Sequence, residues 1–143
     1  MQSPHIPAGS ALDQAIALVA GELAEVEARL EQLLQSSIAI IPELGGQLAF
    51  AGGKRFRPLV TLLAARAVGF IDPVRVTIAA VGELLHTATL LHDDVIDGGE
   101  FRRGRPTARL QYGNGMAVLT GDFCLARALQ AVAYAGRLQA VQT

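Results

Sequence analysis

"DPVRVTIAAVGELLHTATLLHDDVIDGG", residues 72–99, decides what kind of fold this chain can have. Asp72 can accept a hydrogen bond from the unpaired backbone N–H groups of a helix start, and Pro73 suits a first turn that needs no donor. The pattern predicts a helix from 73 that runs unbroken to about 97, where Gly98 and Gly99 stop it. Most of its surface is Leu, Val, Ile and Ala, so it must be covered by other elements.

The rest of the chain offers helices to cover it. Residues 1–9 read as a loose tail. "SALDQAIALVAGELAEVEARLEQLL", residues 10–34, reads as one long amphipathic helix, with Ser10 as N-cap and Asp13 three residues on. Pro42 fits the first turn of a second helix, ended by "AGG" at 51–53, and Pro58 fits the start of a third that closes near Gly69. A short helical turn is expected after Pro106 and a fifth long helix over about 114–136. No strand and no repeat is read. The expected fold class is all-α, a helical bundle formed by residues 10–143. The chain stops at "GRLQAVQT" without a closing signal, which reads as a domain cut short.

Composition agrees. A chain of 143 residues accommodates one domain with a core. Apolar residues make up 51% and charged residues 17%, which excludes disorder over most of the length. With no Trp and few aromatics, the core must be Leu, Ala, Val and Ile, packed closely through small residues. A net charge of −1 argues against a nucleic-acid binder that relies on bulk electrostatics. The lone Cys124 allows no internal disulfide, so a reducing cytoplasm is the expected compartment. Arg66, Arg75, Glu83 and His86 interrupt the apolar runs, and no transmembrane segment is read.

Charge is concentrated instead. Steps of about 100° per residue put His86, Asp93 and Asp97 on one narrow stripe of the 73–97 helix, with Asp94 beside them. Asp93 and Asp97 stand one turn apart, so their oxygens can share a ligand. Two facing carboxylates repel unless a cation lies between them, and Mg²⁺ is the natural candidate because it bridges carboxylates to phosphate oxygens. A solvated acidic helix end is the bland alternative, but acids there oppose the helix dipole. Cations cluster twice. "GGKRFRP", residues 52–58, brings Lys54, Arg55 and Arg57 to a loop that opens a helix, and Arg102, Arg103 and Arg105 follow the aspartates. Guanidiniums bind phosphate in bidentate fashion, so two clusters could hold two diphosphates.

Other single residues read more plainly. Glu83 is expected as a structural partner, Asp122 as a buried hydrogen-bonding group rather than a metal ligand, and Cys124 as core.

In this order, "GGKRFRP", "ELLHTATLLHDDVID", "RRGRPT", "YGN" and "AVLTGDF" resemble the trans-polyprenyl diphosphate synthases. The resemblance runs from about residue 40 to 135 and implies the isoprenoid synthase type of helical bundle. It implies that Asp93 and Asp97 coordinate Mg²⁺ on an allylic diphosphate, with Asp94 nearby and Arg102 contacting that diphosphate. Lys54, Arg57, His86 and Arg103 would hold isopentenyl diphosphate. Small residues at Ala88 and Thr89, five and four positions before Asp93, would leave the path of a growing chain open and favour a long product. Helical phase makes the steric case better for Thr89.

The family's enzymes carry a second aspartate-rich motif on a later helix, and nothing after Asp97 supplies one here. The expectation is therefore the N-terminal half of a prenyltransferase, inactive or very slow alone. It would form a homodimer or pair with a chain supplying the second motif. A non-catalytic helical subunit regulating a complete synthase is the alternative.

Overall fold

The computed structural model describes residues 10–51 and 55–135, so Lys54, the tail over 1–9 and the end over 136–143 lie outside the described residues. Among the described residues, six helices and one small hairpin follow in the order α1 Ala11–Leu18, α2 Ala20–Leu34, α3 Ile40–Ala49, α4 Phe56–Ala67, α5 Val74–Ile96, β1 Phe101–Arg102, β2 Arg105–Pro106 and α6 Ala108–Tyr134. The fold is all-α, as read.

Most helix ends obey their local signals. The Ser10 hydroxyl accepts from the Asp13 N–H, and Asp13 accepts in return from the Ser10 N–H, forming a capping box. Asp72 Oδ1 accepts from Val74 N–H at 2.8 Å, which opens α5. At its far end Gly98 turns left-handed (φ 66°), and the Gly99 N–H returns to the Asp94 carbonyl at 2.9 Å. α4 starts two residues before Pro58, at Phe56, because Arg55 takes a left-handed backbone and places Pro58 in a first turn that needs no N–H.

Two expectations are corrected. The helix read over 10–34 breaks at Val19, whose φ of −126° separates α1 from α2. Val19 is 1% exposed, and Arg66 donates to the Leu18 carbonyl that the break leaves open. Burial of Val19 and a tertiary hydrogen bond together outweigh one continuous ladder. No strand was expected either, yet Phe101 pairs with Pro106 and Arg102 with Arg105 in an antiparallel hairpin. Its two central residues, Arg103 (φ 51°) and Gly104 (φ 77°), both have the positive φ that a tight two-residue turn requires.

α5 is the central element. It packs most extensively along α6 and also meets α2, α3 and α4. Leu84, Ala88 and Leu91 of α5 are buried with Leu30 and Leu34 of α2, Leu44 of α3 and Leu59 and Leu62 of α4. α6 contributes Ala117, Gly121, Cys124, Ala128 and Ala131, so small residues do bring the helices close. At Gly113 (φ 83°, ψ 162°) α6 kinks, which separates the turn after Pro106 from the long helix expected from 114. α5 and α6 are long and apolar enough to cross a membrane by length and composition alone, a test that a buried core helix also passes. Half of the apolar window in α5 is buried inside the protein.

Candidate functional site

The C-terminal half of α5, the N-terminus of α4 and the hairpin enclose a cavity of about 480 Å³. Its wall includes five arginines, Arg55, Arg57, Arg102, Arg103 and Arg105, against two carboxylates, Glu83 and Asp94. His86 and Thr87 face it from α5, Gln47 and Leu48 from α3, and Thr107 from the start of α6. A concave, partly apolar cavity with converging guanidiniums suits an anion carrying a hydrocarbon group.

The arginines are held differently. Arg55 forms an ion pair with Glu27 of α2 and donates to the Ala49 carbonyl, so it fastens α4 to α2 and α3. Of the cations read from "GGKRFRP", Arg55 is thus committed to structure. Arg57 stays half-exposed, 3.8 Å from the largely buried Glu83. Arg102 forms a fork onto Asp94, with Nη2 at 2.8 Å and Nε at 3.1 Å from Oδ1. Asp94 first, and Asp93 and Asp97 less strongly, hold the Arg102 guanidinium above its ordinary pKa. Arg103 and Arg105 reach the cavity from the hairpin, whose neck is closed by Thr107: its N–H donates to the Glu100 carbonyl at 2.9 Å and its hydroxyl to that of Gly99 at 2.8 Å. Burial pushes the His86 imidazole below its ordinary pKa, and Arg57 lowers it further.

The aspartates separate. Asp93 and Asp97 are exposed on the open side of α5, outside the cavity wall, with no ion pair among the described residues. Asp94 is 4% exposed and bound to Arg102, so it organises the hairpin and is not available beside the other two. Among the described residues no three His, Cys, Asp or Glu side chains gather as a closed metal site. Two exposed carboxylates one turn apart still fit a hard cation that keeps waters and takes phosphate oxygens, as Mg²⁺ does. They do not fit a metal that needs a full protein cage.

Thr89 is exposed on this open side and donates to the His86 carbonyl at 2.8 Å, whereas Ala88 is 3% exposed and faces the core. Of the two small residues, only Thr89 borders the open face. Cys124 is fully buried, as expected, and burial pushes its thiol up to about 12. Asp122 is corrected: it is exposed, 3.3 Å from His92 Nε2, because it lies at the α5–α6 seam and not beneath it. The sequence signal for His92 is its place directly before the aspartates.

Residues 39–143 match the family model described as polyprenyl synthetase. The octaprenyl diphosphate synthase of Escherichia coli (strain K12) is 46% identical over 125 residues, covering 87% of this chain and 39% of that protein. A decaprenyl diphosphate synthase from Rhodobacter capsulatus superposes with a TM-score of 0.87 at 44% identity, covering 92% of this chain and 41% of that one. A polyprenyl synthase from Caulobacter crescentus CB15, solved with calcium and isoprenyl diphosphate, gives 0.87 at 42% identity, over 95% of this chain and 42% of that one. The chain thus spans about two fifths of the length of these relatives.

Proposed function

Because this chain belongs to the polyprenyl synthetase family, we propose that it carries half of a prenyltransferase site. That site joins isopentenyl diphosphate to an allylic diphosphate and makes a long-chain polyprenyl diphosphate. The observation that carries the reading is the arginine-lined cavity beside the exposed Asp93–Asp97 pair on one helix. The octaprenyl and decaprenyl names of the relatives support a long product, as does the small, exposed Thr89.

Asp93 and Asp97 would hold Mg²⁺ against the allylic diphosphate. Bound there, Mg²⁺ neutralises diphosphate charge and so favours departure of the leaving group. Arg102, aimed by Asp94, donates hydrogen bonds to that diphosphate as negative charge develops on it. Arg57, Arg103 and His86, with Lys54, hold isopentenyl diphosphate so that its double bond faces the allylic carbon. The carbon–oxygen bond to the leaving diphosphate breaks and the new carbon–carbon bond forms. Loss of a proton then leaves an allylic product one unit longer, with inorganic diphosphate released.

The chain would form a homodimer or pair with a chain that supplies a second aspartate-rich motif. Exposed Val118, Leu119, Leu125 and Leu129 on α6 favour such pairing, as does the name "component 2" of the heptaprenyl diphosphate synthase relative from Geobacillus stearothermophilus. The cytoplasm remains the proposed compartment.

The test is calorimetric binding of inorganic pyrophosphate with and without Mg²⁺. Mg²⁺ should tighten binding in the native sequence and have no effect in the Asp93→Ala/Asp97→Ala variant. Equal Mg²⁺ dependence in both would overturn the site. Turnover of isopentenyl diphosphate with farnesyl diphosphate should be absent or very slow for this chain alone.

A further inference from the structure

His92 precedes Asp93 and packs between α5 and α6 in an unusual way. A methyl group on Gly121 would stand 2.3 Å from His92 Nε2 and 2.6 Å from its Cδ2, so the ring occupies the space that only glycine leaves. Nε2 lies 3.2 Å from the Val118 carbonyl oxygen and 3.3 Å from Asp122 Oδ1. Residues 118, 121 and 122 form one turn of α6, and that turn holds the ring.

Phase gives this contact its meaning. Relative to His92, steps of about 100° put Asp93 near 100°, Asp97 near 140° and Asp94 near 200° around the α5 axis. The Asp93–Asp97 pair therefore lies in the arc between His92 and Asp94. Asp94 is fixed to the hairpin through Arg102, and His92 is fixed to α6. Asp93 and Asp97 are exposed, and among the described residues no ion pair sets their direction. The last turns of a helix are where rotation and fraying cost least. Two anchors on either side of the pair would restrain both.

We propose that His92, seated on Gly121, is a positioning residue that sets the direction of the Asp93–Asp97 pair toward its cation. This rests on the reading above that the pair holds Mg²⁺. The Nε2–H donates to the Val118 carbonyl, and the ring's contact with the bare Gly121 fixes how far α5 can turn. The same anchoring predicts that Gly121 matters for metal although it touches none.

The experiment is Mg²⁺ titration of inorganic pyrophosphate binding by calorimetry on the chain itself, with helical content followed by circular dichroism. His92→Leu should leave metal-free pyrophosphate binding unchanged. It should raise the Mg²⁺ concentration for half-effect by about 10- to 100-fold, the range for groups that orient a metal ligand. Gly121→Ala should do the same by displacing the ring, and His92→Gln, whose amide can donate to the same carbonyl, should recover most of the loss. A folded His92→Leu or Gly121→Ala variant with unchanged Mg²⁺ dependence overturns the proposal. Should the leucine variant lose its helical signal, Gly121→Ala decides by the same shift. If Asp93→Ala/Asp97→Ala instead retains full Mg²⁺ dependence, it is the underlying cation site that fails.

Discussion

Arg102 holds Asp94 through two nitrogens, Nη2 at 2.8 Å and Nε at 3.1 Å from one carboxylate oxygen, across a gap of eight residues. Asp94 is almost fully buried, so its charge is tolerable only because Arg102 answers it. Asp94→Asn should therefore lower stability by about 1.5–3 kcal/mol, the scale of a hydrogen bond to a charged group. Asp93→Asn, at an exposed position, should change it by less than about 0.5 kcal/mol. Urea denaturation of the two variants checks this, and equal effects would remove the distinction between them. Asp94→Asn should also weaken pyrophosphate binding without Mg²⁺, because Arg102 loses its aim.

The Gly113 kink makes a prediction about backbone alone. A side chain there would meet nothing within 4 Å, yet φ 83° and ψ 162° lie in a region essentially reserved for glycine. Gly113→Ala should cost about 1–3 kcal/mol. Gly115→Ala, two residues on in regular helix with equally open space, should stabilise by about 1 kcal/mol. Opposite signs in thermal unfolding are expected. Equal shifts would mean that α6 is not kinked in solution.

His86 predicts a pH dependence. Its imidazole is held below the ordinary 6.5, first by burial and then by Arg57. A lowered folded value means that the neutral ring stabilises the fold above pH 6.5, and that this contribution fades as pH falls through the lower, folded value. The contribution is small because the ring is partly exposed. Binding should move the other way: sulfate, whose charge is constant over this range, should bind more tightly once His86 is protonated. Ring NMR titration should give a value below 6.5 that rises only in part in Arg57→Gln, since burial is the larger cause. A value above 6.5 would contradict the site's electrostatics.

Cys124 supplies a test of packing. With its thiol at about 12 and no exposure, it should resist alkylation at pH 8 in the native state and react fully in urea. Gly45 lies directly over it, and a methyl group there would come within 2.6 Å of Leu34 Cδ2 and 3.7 Å of the sulfur. Gly45→Ala should destabilise by about 1–3 kcal/mol through overpacking and expose the thiol to reagent. Rapid alkylation of the unmodified protein would show that the α2–α3–α6 contact is loose.

Much of the fold was legible because its signals are local. Ser10 with Asp13, Asp72 with Pro73, and Gly98 act within a turn of where they stand, and the caps form there. The break at Val19 was not legible, because Arg66, 48 positions away, satisfies the Leu18 carbonyl. The hairpin escaped because its turn uses Arg103 where Asn or Gly is the usual signal, and its strands are two residues long. In the site, the Asp93–Asp97 stripe followed from helical phase alone. The burial of Asp94, the diversion of Arg55 to Glu27 and the pairing of Asp122 with His92 depend on neighbours from other helices, which periodicity cannot supply.

α5 divides its labour around its circumference. Ala80, Leu84, Ala88 and Leu91 supply cohesion, while Thr89, Asp93 and Asp97 face outward and bear on no packed neighbour. Heritable change on one side is thus largely invisible to the other. A lineage could retune what the outward side accepts, residue by residue, without first finding a more robust scaffold. The exceptions are the anchors His92 and Asp94, where a single substitution would be felt by both scaffold and chemistry, and these are the positions at which drift should be least tolerated.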